Sequence, residues 1–471
     1  MENWTVGNAV KASQGKLLQG QETWVVKGIS TDSRTISPGE LFVALSGERF
    51  DGHEFIEPAL SQGAIGIVVK KGQAYRLPGK EFAWIEVEDT VRALGMMAGV
   101  YRSRYSIPIV AITGSCGKTT TKELTAAILT TEKKVLKSPA SFNNYIGLPL
   151  TLFNLSSEHE VAVVELGANH VGEINYLSQI CQPTVGVITN IGDAHLGYFG
   201  SRQEIIRSKG ELLESLPKNG YAVLNADDSQ LEGFYSQCQV KIITFGINQP
   251  ADIKATKVEF RGREGMRFCL NEKVDICLSI PGIHSVYNAL AAAAVARILG
   301  YNWDSIQLGL QKTGLALSLR METVSLPESI ILINDAYNAN PQSMQAAVEV
   351  LVQLANGRKI AVLGDMLELG PADISAHHDL GKLVARKKID WLFTVGEKSS
   401  ISARAAMEEG MGGGRVFSCL SNQQVLEVLL PVLRPGDTIL IKGSRRMQME
   451  EIAINLQRYL QRNSLTSRNV V

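Results

Sequence analysis

The chain has 471 residues, 45% apolar and 20% charged, a composition that excludes a disordered or fibrous protein and allows sizeable cores. Lysine plus arginine equals aspartate plus glutamate, 47 each, so no global field draws the chain to nucleic acid or an anionic membrane, and binding falls to specific pockets. The length exceeds what one hydrophobic core usually organises and predicts about three domains.

The first twenty residues mix Lys11 and Lys16 with polar positions and contain no apolar leader core. No stretch approaches the roughly 18 apolar residues of a membrane span, and the expected address is the cytoplasm. From Trp24 to Glu88 the short apolar runs Leu41 to Leu45, Ile65 to Val69 and Phe82 to Ile85 alternate with Gly- and Asp-containing turns, which predicts a small α/β domain. Asp89 is placed to N-cap a helix ending near Tyr105, and Ser106 to Pro108 reads as a hinge.

From Ile109 the pattern becomes strand then helix, repeated: Ile109 to Ile112, Val161 to Val164 and Val185 to Thr189 read as strands buried on both faces of a parallel sheet. Alternation in Val258 to Phe260 and Met266 to Leu270 predicts antiparallel hairpins added to that sheet, followed by an Ala-rich helix from Val286 to Leu299. A third unit begins near Leu319, with strands at Ile330 to Ile333, Ile360 to Leu363, Trp391 to Val395 and Thr438 to Ile441, and reads as a second doubly wound domain. Gly410 to Gly414 is a loop, and the tail from Ser464 is expected to be frayed. The expected fold class is therefore α/β in three domains, 1–105, 106–317 and 318–471: a small α/β domain, a central P-loop-type domain with a mostly parallel sheet, and a Rossmann-like C-terminal domain.

The six cysteines (Cys116, Cys181, Cys238, Cys269, Cys277, Cys419) lack the close pairs of a zinc site and the density of a disulfide framework, so reduced thiols are expected. The most specific local signal is Thr113-Gly-Ser-Cys-Gly-Lys-Thr-Thr120, directly after a buried strand and opening a helix. Gly114, Ser115, Cys116 and Gly117 can turn backbone N–H groups toward phosphate, Lys118 can reach the outer phosphates, Thr119 can offer its hydroxyl to Mg2+, and Thr120 belongs with the nucleotide-binding residues. Two residues separate the glycines, where the usual phosphate loop has four, and the bland alternative is a Gly-rich turn with a surface lysine. Glu165 closes the next strand and His195 follows the strand after it, so both are placed to approach phosphates and share a divalent cation. Either could instead cap an element or sit satisfied in the core. Lys209 lies in a helix predicted from Gln203 to Leu216 and on composition alone is expected to be exposed. His377 and His378, adjacent on a helix, diverge and do not converge on one ion, so a solvent-exposed pair is expected.

The phosphate loop, Asn143-Asn-Tyr-Ile-Gly-Leu-Pro149, Glu165-Leu-Gly167, Asn190 to Leu196 with Gly200-Ser201, Lys209-Gly-Glu211, Gly282 to Asn288, and Arg320 occur in the order found in Mur ligases, and the chain resembles that family over nearly its whole length. Asp335-Ala-Tyr-Asn-Ala-Asn-Pro341, Leu363 to Gly370 and Lys442 to Glu450 are similar to the family member whose amine substrate is D-alanyl-D-alanine. The Asp-Asn-Pro-Arg of the sibling that adds the third peptide residue is absent.

The resemblance implies ATP as the energy source, two Mg2+ ions, and a carbamylated Lys209 that joins Thr119, Glu165 and His195 as metal ligands. It implies that Asn288 contacts adenine, Arg320 the γ-phosphate region, and Asp335 the nucleotide or bound water. Lys118, Lys209, His195 and Arg320 are the catalytic candidates. A UDP-N-acetylmuramoyl-tripeptide would be held by Ser33, Arg34, Asp51 and His53, although Asp-Ser and Asp-Gly are also common turn pairs. Asn143 and Asn144 resemble substrate contacts, and Asn338, Asn340, Lys442, Ser444 and Arg445 are candidates for the dipeptide. A monomer without nucleic-acid or membrane partners is expected. Two rivals stay open: a ligase of the same superfamily that extends folate with glutamate, and a nucleotide switch that hydrolyses ATP without ligation.

Overall fold

The structure, a computed structural model, describes residues 1–47, 50–72, 81–312 and 319–468. Three sheets succeed one another along the chain. The first holds β1 (Lys16–Gln19), β2 (Gly28–Ser30), β3 (Glu40–Val43), β4 (Gly66–Lys70) and β5 (Ala83–Val87) in the order β1-β5-β4-β3-β2. The apolar runs expected there become β3, β4 and β5, which are parallel, while β1 joins β5 antiparallel. Lys16–Gln19 is mostly exposed, so it carries no apolar run to betray it.

Asp89 caps the helix Thr90–Arg102 by accepting from the Arg92 N–H at 2.8 Å. The helix stops short of the expected Tyr105 because Arg102 turns back on the connector. Its guanidinium donates to the carbonyls of Tyr105 at 2.6 Å, Ile107 at 3.2 Å and Cys181 at 2.7 Å, and so clamps the segment read as a hinge onto the second unit.

The second sheet contains β6 (Ile109–Thr113), β7 (Val135–Lys137), β8 (Val161–Glu165), β9 (Val185–Ile188), β10 (Tyr221–Asn225), β11 (Lys241–Gly246), β12 (Ile253–Phe260), β13 (Met266–Leu270) and β14 (Val274–Leu278). Its order is β14-β13-β12-β11-β10-β9-β6-β8-β7. β6 lies between β8 and β9, all parallel, and loops leaving such neighbouring carboxyl ends diverge and open a crevice. β12 to β14 pair antiparallel, as their alternation predicts. The Ala-rich helix is Ile283–Ile298, and its fully buried Ala291 to Ala294 let it pack closely on Lys118–Leu129.

The third sheet holds β15 (Glu322–Ser325), β16 (Ile331–Asn334), β17 (Lys359–Gly364), β18 (Trp391–Val395), β19 (Val416–Cys419) and β20 (Thr438–Lys442) in the order β15-β16-β20-β17-β18-β19. Only β15, at the edge, is antiparallel. The last helix, Glu450–Arg468, is seated on the third sheet by Ile452, Leu456 and Leu460 and extends past Ser464, where fraying was expected to begin. Residues 469–471 and the boundary placed at 317 and 318 lie outside the described residues.

Cores cross between the units. One joins Trp4, Leu94 and Tyr101 of the first to Leu148, Ile174 and Phe199 of the second. Another joins Val286 and Leu290 of the second to Ile333, Val348 and Leu440 of the third. Each such buried aliphatic side chain is worth about 2 kcal/mol, so the units are held against one another. Among the described residues no helix is long and apolar enough to cross a membrane.

Candidate active site

A cleft of about 680 Å3 separates the second sheet from the third. Its floor is the loop after β6. Gly114 has φ +141°, and a Cβ there would come 2.0 Å from Thr189 Oγ1. Gly117 has φ +81°, and a Cβ there would meet Asn288 Oδ1 at 2.3 Å. Only glycine suits either place. The segment after β9 straps the short loop down: Cys116 N donates to Asn190 Oδ1 at 3.0 Å, Ser115 Oγ to the Gly192 carbonyl at 3.0 Å, and Thr189 Oγ1 to the Cys116 carbonyl at 2.6 Å. The two-residue spacing thus builds a fixed loop with a helix N-terminus behind it, which is an anion cradle.

Lys118 folds back to donate to the Gly114 carbonyl at 2.9 Å. Desolvation in the cleft lowers its ammonium from the ordinary lysine range, against the pull of Glu165. Next to it, Thr119 Oγ1 donates to Glu165 Oε2 at 2.7 Å, and Asn143 Nδ2 donates to Glu165 Oε1 at 2.8 Å. Glu165 is 2% exposed. Thr120 lines the same cleft, and Asn288 accepts from Thr121 Oγ1 at 3.2 Å beneath the loop. Asn144 Oδ1 accepts from the backbone N–H of Ile146 and Gly147 in the turn that enters the helix Gly147–Leu152.

The expectation of an exposed Lys209 is corrected: the residue is 3% exposed in the helix Arg202–Glu214. Its helix turns Ile205, Ser208 and Leu212 inward, and its ammonium sits 5.4 Å from the centre of the Phe199 ring. Burial first, then the like charge of Lys118, lowers its pKa to about 7. An amine lowered this far keeps a substantial neutral fraction near neutral pH and can add carbon dioxide, which an ordinary lysine does poorly. His195, at φ +60°, lines the cleft and directs Nδ1 to Glu368 Oε2 of the third unit at 2.6 Å.

The third unit closes the opposite wall. Arg320 stacks 3.9 Å over the Tyr337 ring, and the Tyr337 hydroxyl meets Ser141 of the second unit. Lys442 Nζ binds Asp335 Oδ2 at 2.5 Å and the Asn338 carbonyl at 2.8 Å. Asn340 caps the helix Pro341–Leu354 and touches Cys116 Sγ through Nδ2 at 3.1 Å. Asn338 is exposed on the cleft wall.

Other expected site residues do not reach this cleft. Ser33 is buried in the first unit, and Arg34 is exposed and paired with Asp32 at 2.7 Å. Asp51 accepts from His53 Nδ1 at 2.5 Å, while His53 Nε2 accepts from the Lys70 N–H at 3.1 Å. Ser444 Oγ accepts from the Leu367 N–H at 2.9 Å, and Arg445 pairs with Glu450. The exposed histidine pair is corrected in part: His377 is fully buried between the Asp373 carbonyl and the Met366 N–H, and His378 alone faces solvent.

Sequence reasoning also missed Asp227 and Tyr287. Burial raises the Asp227 carboxyl, but the bonds it accepts from the N–H groups of Ile247, Asn248 and Gln249 and from the Tyr287 hydroxyl together outweigh that and hold it below the usual range. Nothing in the local pattern Asn225-Ala-Asp-Asp228 separates this from a surface turn. Among the described residues no group of three His, Cys, Asp or Glu side chains converges as a ready-made metal site.

Comparison with known proteins gives three matches along the chain: a Mur ligase family catalytic domain at residues 25–102, a Mur ligase middle domain at 112–296, and a Mur ligase glutamate ligase domain at 319–445. The UDP-N-acetylmuramoyl-tripeptide–D-alanyl-D-alanine ligase of Bacillus subtilis is 36% identical over 96% of this chain and 98% of its own length. A crystal structure of MurF from Acinetobacter baumannii superimposes with a TM-score of 0.87 at 35% identity, covering 97% of this chain and 99% of that one. MurF from Thermotoga maritima, solved in complex with ADP, gives 0.81 at 27% identity, covering 94% and 100%.

Proposed function

The chain belongs to the Mur ligase family, and from that premise we propose how its cleft performs the ligation. The reaction is the ATP-dependent joining of D-alanyl-D-alanine to UDP-N-acetylmuramoyl-tripeptide in peptidoglycan precursor synthesis. The observation that carries our reading of the site is the Thr119 hydroxyl on the Glu165 carboxylate at 2.7 Å, directly after Lys118 on the phosphate loop.

Residues 106–317 bind ATP, 1–105 the UDP-sugar and 318–471 the dipeptide. A free carboxylate is too poor an electrophile for an amine. The terminal carboxylate of the tripeptide therefore attacks the γ-phosphorus, the bond from that phosphorus to its bridging oxygen breaks, and ADP leaves from an acyl phosphate. The dipeptide amine adds to the acyl carbon, the carbon–oxygen bond to phosphate breaks, and the surplus proton passes to solvent. Charge on the phosphoryl group is met by Lys118 and by Arg320, which reaches in from the third unit, so catalysis is positioning and compensation and needs no protein nucleophile. All seven of Asn288, Asp335, Asn143, Asn144, Asn338, Asn340 and Lys442 line the cleft, and we assign the first two to the nucleotide and the other five to the substrates. Ser33, Arg34, Asp51 and His53 serve the UDP-sugar, with the exposed Arg34 guanidinium suited to diphosphate oxygens.

Two Mg2+ ions fit the donors present. Thr119 and Glu165 offer a hydroxyl and a carboxylate at one point, and Mg2+ needs few protein ligands when phosphate oxygens and water complete its shell. His195 and carbamylated Lys209, sharing Glu165, are the ligands proposed for the second ion, and the buried Lys209 amine, its pKa lowered to about 7, suits that modification. Bound there, the cations offset charge on the phosphoryl oxygens. We place the protein in the cytoplasm as a monomer.

The test is phosphate release by the purified protein with MgATP and UDP-N-acetylmuramoyl-tripeptide, comparing D-Ala-D-Ala, L-Ala-L-Ala and no dipeptide. Release that requires D-Ala-D-Ala, with a product heavier by one dehydrated dipeptide, is expected. Release indifferent to the dipeptide would sink the ligase mechanism in favour of simple ATP hydrolysis.

A further inference from the structure

His195 and Glu368 come from different units: His195 follows β9 of the second sheet, and Glu368 lies between β17 of the third sheet and the helix Asp373–Arg386. Their side chains meet at 2.6 Å, His195 Nδ1 to Glu368 Oε2. The same glutamate also grips the next turn of backbone, because its carbonyl accepts from the Gly197 N–H at 2.9 Å. That approach needs bare backbone on both sides. A Cβ on Gly197 would come 2.7 Å from Gly370 N, and one on Gly370 would come 2.6 Å from Gly197 Cα. Both residues stand in the left-handed region, His195 at φ +60° and Glu368 at φ +68°, where non-glycine residues are held only by their surroundings.

A carboxylate accepts and does not donate, so in the neutral ring, the form that binds a metal, this bond puts the proton on Nδ1 and leaves the Nε2 lone pair free. A free imidazole divides its proton between the two nitrogens. We propose that Glu368 is a positioning residue that, when the third unit is seated, fixes His195 in the tautomer and orientation that present Nε2 to a divalent cation. The His195 part of the cation site is then complete only in the docked molecule, which ties cation binding to closure. Histidine ligands are commonly oriented by a carboxylate in this way, and losing such a partner typically weakens metal binding 10–100-fold. This inference rests on the reading that His195 holds a cation, and the experiment separates the two.

Full-length protein labelled with 15N-histidine is compared with Glu368→Ala, Glu368→Gln and His195→Ala, the last assigning the resonance. In the same samples, Mn2+ binding is followed by loss of the free-ion EPR signal in the presence of β,γ-methylene ATP and UDP-N-acetylmuramoyl-tripeptide. The wild-type His195 ring is expected to be protonated at Nδ1, and a wild-type ring protonated at Nε2 overturns the proposal without any substitution. Glu368→Ala is expected to lose that preference and to bind the His195-dependent Mn2+ about tenfold more weakly. Glu368→Gln, whose amide oxygen still accepts from Nδ1, keeps the tautomer and most of the affinity. If Glu368→Ala binds Mn2+ like wild type while His195→Ala loses an ion, Glu368 is a latch between units and the proposal fails alone. If His195→Ala binds as many ions as wild type, the cation reading fails and takes the proposal with it.

Discussion

Lys442 Nζ lies 2.5 Å from Asp335 Oδ2 where β20 and β16 end side by side, with the lysine side chain 3% exposed and the aspartate 11%. The pair is a structural knot as well as a cleft wall. Lys442 also holds the Asn338 carbonyl, and Asp335 Oδ1 accepts from the Met321 N–H at 3.2 Å, so the connector near Arg320 and the Asp335 to Pro341 motif share one anchor. Removing one member leaves a buried charge without its partner. Asp335→Ala is expected to destabilise the protein by about 3 kcal/mol in urea unfolding, and Asp335→Ala with Lys442→Met to recover more than half of that. A single substitution within about 1 kcal/mol of wild type would mean that the pair behaves like an exposed one.

The Lys118 ammonium donates to its own loop, at the Gly114 carbonyl, and so adds little to the fold. Lys118→Ala is expected to lower kcat about a thousandfold while the unfolding midpoint stays put, because an aimed charge in a desolvated cleft acts chiefly on the transferring phosphoryl group. Thr119→Val removes the hydroxyl from Glu165 and is expected to raise the Mg2+ concentration needed for half-maximal rate. Wild-type turnover in a folded Lys118→Ala protein would dismiss the phosphate-loop assignment.

The strand-loop-helix context of residues 109–120 was legible because it is local: a doubly buried apolar run, two glycines and a lysine sit within one dozen residues. The Asp89 cap and the β12 to β14 hairpins were legible for the same reason. Lys209 was not, since its burial depends on Phe199 and on which helix face the second unit covers. His377 likewise looked like half of a surface pair until its ring was seen to satisfy the Met366 N–H and the Asp373 carbonyl. The His195 to Glu368 bond joins residues 173 positions apart across two units, and no periodicity reports such a meeting. The edge strands β1 and β15 escaped because an edge has no need of a continuous apolar run.

Lys209 supplies a pH dependence with a definite sign. Its ammonium is lowered from 10.5 to about 7, first by burial, so between those values the folded chain binds fewer protons than the unfolded one. Its contribution to stability therefore rises with pH across that window, and below about 7 the full penalty of the buried charge is felt. The neutral amine of the folded chain, which alone adds carbon dioxide, gains as the pH rises through about 7. Enzyme stripped of carbon dioxide is expected to recover activity on adding bicarbonate markedly better at pH 8 than at pH 6. Lys209→Ala is expected to be inactive and partly rescued by acetate. Recovery indifferent to pH in the wild type would remove the link between this amine and activity.

Gly197 and Gly370 face one another across the seam between the second and third units, and they permit a graded test of docking. A methyl group on Gly197 meets backbone, Gly370 N at 2.7 Å and the Glu368 carbonyl at 2.9 Å, neither of which can swing away. On Gly192 it meets Gln342 Oε1, the far end of a flexible side chain that can turn aside. Both glycines are otherwise on the same face of the second unit, after β9. Gly197→Ala is expected to widen the particle in X-ray scattering with ATP and UDP-substrate and to cut kcat by about tenfold or more, in line with an ångström-scale misplacement of catalytic groups. Gly192→Ala is expected to do neither. Matching scattering curves and rates for the two variants would show that this seam does not govern closure, because the steric difference between backbone and a movable amide would then have had no consequence.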